Sequence, residues 1–200
     1  MTHADTYLAL GDSYTIGEAV PASGRWPVQL AARLGWNAPT IVAQTGWTTD
    51  ELSLAIDAAP LATPYDRVSL LIGVNNQYRG RTVANHAAEF RVLLDRAIGF
   101  AGGDAARVFV VSIPDWGVSA FAARDGRGRA RIGREIDAFN AAARAACDRA
   151  GVCFVDITPT SRDRGGDPAM LAADGLHPSA AMYARWVDDI VHTLPVAAPG

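Results

Sequence analysis

The chain of 200 residues contains no lysine: all 18 of its basic residues are arginine. That absence removes Schiff-base chemistry, the phosphate-binding lysine of a P-loop and Ser-Lys dyads together. Cysteine is scarce, with Cys147 and Cys153 alone, on either side of an expected helix–strand junction. Such a pair is no disulfide framework and reads as free buried thiols in a reducing compartment. No apolar run approaches the roughly 18 residues of a membrane span. The N-terminus, MTHADTYLALGDS, shows neither a basic segment nor the apolar stretch of a secretory signal, so cytoplasm is the default expectation. A formal charge of −3 gives no reason to expect nucleic acid or another polyanion as partner. Arg124, Arg127, Arg129 and Arg131 cluster among glycines, as in a solvated loop rather than a phosphate patch.

What is present is the balance of a globular chain, 50% apolar and 20% charged, long enough for one domain spanning 1–200. Five short apolar runs read as strands: Tyr7–Leu10, Thr40–Ala43, Arg67–Ile72, Val108–Ile113 and Val152–Asp156. Their near-continuous apolar character is that of parallel strands buried on both faces. Between them, helical patterns cover Pro27–Leu34, Thr49–Ala58, Val83–Phe100, Ile132–Ala150 and Ala180–Leu194. Thr48 and Glu51 have capping-box spacing, and Gly35 and Gly151 stand where helices end. Strand–helix alternation implies βαβ units and an α/β/α sandwich around a parallel five-stranded sheet. In such a sheet ligands bind beyond the carboxyl ends of the strands, so chemistry should lie just after them.

It does. The first strand runs into Gly11-Asp12-Ser13-Tyr14, where a hydroxyl and its own backbone N–H can face one crevice. Ser13 is thus a candidate nucleophile, against the plainer reading of a helix N-cap. The second strand leads to Gly46, whose N–H can approach a ligand closely, or which merely turns the chain. The third ends in Gly73-Val74-Asn75-Asn76. The Asn75 carboxamide can donate to an oxyanion, or shape its loop as an Asx-turn. Near the C-terminus, Asp174-Gly175-Leu176-His177 lets a carboxylate approach one ring nitrogen while the other faces a hydroxyl elsewhere. His177 could also be a loop histidine ahead of a helix capped by Ser179. Of the other histidines, His3 falls in a terminal tail, and His86 and His192 are expected on helix surfaces.

Taken together, GDSYTIG, the Gly46 segment, GVNN and DGLHP resemble blocks I, II, III and V of the SGNH (GDSL-type) hydrolases, in that family's order and over almost the whole chain. The resemblance implies a flavodoxin-like three-layer fold and ester hydrolysis through an acyl-enzyme, without metal or cofactor. It assigns Ser13 as nucleophile, His177 as base and Asp174 as its orienter. The oxyanion hole would be the N–H groups of Ser13 and Gly46 with the Asn75 side chain. One departure is Asn76, where the family's third block carries an acid, and it questions the rigidity of that loop more than catalysis. Tyr14 replaces the usual leucine of the first block.

The substrate is read only as a small-molecule ester. Tyr14, Trp47, Tyr78 and Trp116 fall near the expected site on four loops, where they could stack on a sugar, line an acyl pocket or simply pack the loops. Pro114-Asp115-Trp116-Gly117 is expected to form one pocket wall. The absence of a cap insertion suggests small or short-chain acyl esters, including acetylated carbohydrates; a thioester or lysophospholipid is the alternative. Two other classes compete. A nucleotide-binding or receiver domain would require the missing lysine, and a metal-dependent phosphodiesterase would use Asp12, Asp174 and His177 as ligands. A catalytically dead carbohydrate-binding relative would not fill every catalytic position.

Overall fold

A computed structural model describes residues 4–194 of the chain; His3 lies outside them. Five strands form a wholly parallel sheet: β1 (Tyr7–Gly11), β2 (Thr40–Ala43), β3 (Arg67–Leu71), β4 (Val108–Val111) and β5 (Cys153–Val155), in the order β2-β1-β3-β4-β5. The expected runs meet all five strands: β2 matches its run, β1 runs one residue past it to Gly11, and β3, β4 and β5 are a residue or two shorter than theirs.

Alternation along the strands sorts side chains between two cores. Tyr7, Ala9, Phe109 and Val111 face one apolar cluster, while Leu8, Leu10, Val108 and Val110 face the other. The first cluster is covered by α2 (Trp26–Leu34) and α9 (Ala180–Thr193), through Trp26, Leu30, Tyr183 and Trp186. The second is covered by α3 (Thr49–Ala58) and α5 (Val83–Phe100), through Leu52, Ile56, Phe90 and Leu94. Helix α7 (Arg129–Ala150) reaches both clusters, with Ile132 and Ile136 in the first and Ala146 and Cys147 in the second. The result is the three-layer α/β/α arrangement expected of the sequence.

Short helices fill the strand ends: α1 (Ser13–Ile16) after β1, α4 (Val74–Tyr78) after β3, α6 (Ala122–Asp125) ahead of α7, and α8 (Thr158–Arg164) after β5. Since β2 lies on one side of β1 and β3 on the other, the winding direction reverses at β1. The carboxyl ends of β1 and β3 therefore open a crevice at the switch point.

Both cysteines are free, Cys147 buried and Cys153 half-buried. No helix among the described residues is long and apolar enough to cross a membrane. His86 corrects a sequence expectation: it is wholly buried, its ring stacked 4.7 Å from Phe139, and neither nitrogen has a hydrogen-bond partner. Its position explains this, because 86, 90, 93, 94 and 97 form one buried stripe of α5 and the histidine heads it.

Candidate active site

Gly11 closes β1 because nothing larger fits: a Cβ there would lie 2.5 Å from the Leu71 carbonyl oxygen. The chain then turns into α1, whose N-cap is Asp12, not Ser13; the Asp12 carboxylate accepts the Tyr14 N–H at 3.0 Å. Ser13 is left at the first helical position with its hydroxyl free of any hydrogen bond among the described residues. Asp12 is completely buried, and that burial pushes its carboxyl up to about 7 against the pull of the Tyr14 N–H.

The 46–51 and 75–81 segments are bound together by side chains projecting from the latter. Gly46 adopts φ +88°, open to glycine, and its carbonyl accepts Arg79 Nη2 at 2.7 Å. The Asn75 Nδ2 donates to the Trp47 carbonyl at 2.8 Å, a bond to a different loop rather than an Asx-turn. Its second amide proton is left for the crevice. Asn76, fully buried, accepts the Thr49 N–H at 3.1 Å and donates to Thr49 Oγ1 at 2.6 Å. Arg81 reaches Asp50 at 2.6 Å and Arg79 reaches Glu51 at 3.2 Å. The capping box is present as expected, with the Glu51 carboxylate accepting the Thr48 N–H at 2.8 Å. The neutral Asn76 therefore holds its loop firmly without the acid usual at that position.

Around His177, Asp174 accepts from Nδ1 at 2.6 Å through one oxygen. Its other oxygen accepts the N–H groups of Leu176 and His177, each at 2.9 Å. Partial burial pushes the Asp174 carboxyl up, but these three bonds outweigh it and hold it below the ordinary carboxylate range. The turn closes through Ala172 N–H to the His177 carbonyl at 2.7 Å, and Phe121 N–H to the Gly175 carbonyl at 3.1 Å. Tyr14 meets the His177 ring edge-on at 5.9 Å and Trp186 at 6.0 Å, so this buried aromatic wedges the imidazole against the core.

Ser13, Gly46, Asn75 and His177 line one cavity of about 230 Å³, with Asp174 behind the imidazole. Tyr14, Tyr78 and Trp116 line it too, and Trp116 brings the expected Pro114–Gly117 wall. Trp47 does not. It packs against the cluster on the far face, and its contribution is the carbonyl that holds Asn75. Trp116 is anchored by Nε1–H donation to Gln77 Oε1 at 2.9 Å, whereas Tyr78 is 45% exposed.

Arg127 departs from the solvated loop expected of the arginine-rich stretch. Held by Asp125, its guanidinium lies 4.3 Å over Tyr78 and 5.0 Å over Trp116 and donates to the Tyr78 carbonyl at 3.0 Å. Asp125 is two residues away, but the aromatic partners Tyr78 and Trp116 lie on other loops, so nothing local foretold them. No group of three or more His, Cys, Asp or Glu side chains among the described residues is arranged to hold a metal ion, so Asp12, Asp174 and His177 do not form the ligand set weighed above.

A parallel sheet with a serine, a carboxamide and an aspartate-backed histidine gathered at its carboxyl edge, in a three-layer α/β/α fold, is the arrangement of a GDSL-type hydrolase. The chain belongs to the GDSL-like lipase/acylhydrolase family, whose model matches residues 9–185, and is a carboxylic ester hydrolase. Solved structures share its fold. Axe2, an acetylxylan esterase from Geobacillus stearothermophilus, superimposes with TM-score 0.74 at 17% identity, over 96% of this chain and 94% of its own. The psychrotrophic esterase EstA from Pseudoalteromonas sp. gives 0.71 at 15%, over 94% and 96%. Phospholipase A1 from Streptomyces albidoflavus NA297 gives 0.67 at 20%, over 95% and 99%. No curated protein matches the chain.

Proposed function

We propose that this enzyme hydrolyses esters of small or short-chain acyl groups through an acyl-enzyme on Ser13. The observation that carries the reading is the convergence of Ser13, Gly46, Asn75 and His177 on one cavity, with Asp174 bonded to the far side of the imidazole. Nε2 of His177 takes the Ser13 proton as Oγ attacks the acyl carbon. The oxyanion that forms meets the N–H groups of Ser13 and Gly46 and the free amide proton of Asn75. The imidazolium, stabilised by Asp174, protonates the departing alkoxide, and water repeats the sequence on the acyl-enzyme to release the acid. The Ser13–His177 hydrogen bond forms with substrate in place, as such bonds tighten in the Michaelis complex.

The preference for short acyl groups is supported by size and lining. The cavity of about 230 Å³ falls below the roughly 300–1,000 Å³ of drug-sized ligand sites. Val74, Trp116, Phe121 and Leu176 give it apolar walls. The test is a panel of p-nitrophenyl esters of rising chain length, beside acetylated sugars and an acyl-CoA, run on wild type and Ser13→Ala. Wild type should favour the acetate and butyrate esters, and Ser13→Ala should lose turnover by roughly 10⁶-fold with unchanged circular dichroism. Near-normal turnover in the variant would overturn the assignment.

A further inference from the structure

Adjoining the proposed catalytic cavity is a second, much smaller pocket of about 20 Å³, room for little more than one water molecule. Met170, Leu171, Pro178, Met182 and Trp186 give it an apolar lining at the joint between the His177 loop and α9. Three residues line both spaces: Tyr14, Trp116 and Leu176. These three side chains are therefore the wall between them.

We infer that Trp116 and Leu176, backed by Tyr14, form a partition that ends the acyl pocket and sets the longest acyl chain the enzyme accepts. The inference rests on the proposed acyl-ester reading and deepens it. The three members differ in how firmly they are held. Tyr14 is wedged between His177 and Trp186. Trp116 is bonded to Gln77 and flanked edge-on by Tyr78 at 5.6 Å. Leu176 is half-buried, its side chain has no polar anchor, and it projects from a turn fixed by its own main chain. Shortening Leu176 therefore removes wall without removing a hydrogen bond. The two spaces would merge into one apolar channel directed at Met182, deep enough for several more methylenes. Each methylene seated in an apolar pocket changes kcat/KM by about tenfold or more.

The experiment compares kcat/KM for p-nitrophenyl octanoate and butyrate in wild type, Leu176→Ala, Leu176→Val, Leu176→Phe and Trp116→Leu. Because the readout is a ratio within each variant, a general loss of activity cancels. We expect the octanoate-to-butyrate ratio to rise about tenfold or more in Leu176→Ala and Trp116→Leu, to rise less in Leu176→Val, and to fall in Leu176→Phe. Leu176→Val keeps the test open should the larger truncations fail to fold. Ratios within twofold of wild type across the folded variants would overturn the partition while leaving the Ser13 mechanism intact. A wild type that already prefers octanoate would also overturn it. A wild type that hydrolyses no ester in a Ser13-dependent way would overturn both.

Discussion

The Asn76 side chain grips Thr49 twice, accepting its N–H at 3.1 Å and donating to its hydroxyl at 2.6 Å. The Thr49 hydroxyl in turn donates to Glu89, whose carboxylate also lies 3.5 Å from the Asn76 amide. An amide suits this place because a carboxylate already occupies the other side of the threonine. Asn76→Asp should therefore destabilise the fold by about 1–3 kcal/mol at neutral pH, by losing a donor and setting two carboxylates together. Adding Glu89→Gln should recover part of the loss. Strict additivity of the two changes in urea unfolding would show that the residues are uncoupled.

Asn75→Ala should act on rate and stability at once. Losing the oxyanion donor lowers kcat by about 10²–10³-fold with little change in KM. Losing the bond to the Trp47 carbonyl costs about 1 kcal/mol of stability, read as a fall in Tm. A fall in Tm with kcat within threefold of wild type would confine Asn75 to holding its loop.

Asp174→Asn keeps the shape of the turn but offers the imidazole the wrong partner. A loss of about 10⁴-fold in kcat is expected. If the loss is under tenfold, something other than Asp174 orients His177.

His86 makes stability depend on pH. Burial holds its imidazole at about 4, below the ordinary 6.5, although the nearby Glu89 carboxylate pulls upward. The unfolded chain therefore binds the extra proton first. Full stability is present above about pH 6.5, and about 3 kcal/mol is lost as the pH falls towards 4. Asp12 works in the opposite sense, because a carboxyl raised to about 7 favours the fold in acid. The two effects separate when wild type is compared with His86→Leu: the stability difference should shift in favour of the variant between pH 7 and pH 4.5. A difference independent of pH would show that His86 is free to protonate in the folded state.

The central strands were legible because both their faces are buried, so the runs at Leu8–Leu10 and Val108–Val111 are apolar throughout. Of the proposed catalytic positions, Ser13, Gly46 and Asn75 were legible because they follow β1, β2 and β3 within a few residues. Asp174 and His177 stand on a turn well beyond β5 and were legible from their spacing alone. Other features depend on partners remote in the chain. The helix Thr158–Arg164 is short, polar and begins around a proline, and its buried Ser161 and Thr158 bond to partners remote in the chain, among them Asp115, Ser112 and Ile113. Helix α7 starts at Arg129, three residues before Ile132, since its first turn, Arg129-Ala130-Arg131, carries no apolar stripe residue to announce it. His86 is a polar residue whose spacing to Phe90, Leu93, Leu94 and Ala97 already places it on the core stripe, so its position in the sequence carries its burial although its residue type does not.

The bonds between the 46–51 and 75–81 segments have a mechanical consequence. Arg79, Asn75, Asn76 and Arg81 clamp the two loops into one unit, so the half of the site proposed to receive the developing negative charge is stiff. The turn bearing His177 is closed mainly on itself, and among the described residues its one main-chain bond to a neighbouring loop joins Phe121 to Gly175. On warming, the proton-transfer half should loosen first, while the charge-receiving half still stands. Amides of 172–177 should then exchange with deuterium well before those of 48–51. Heat would silence the enzyme by separating base from nucleophile, at temperatures where the sheet is still whole.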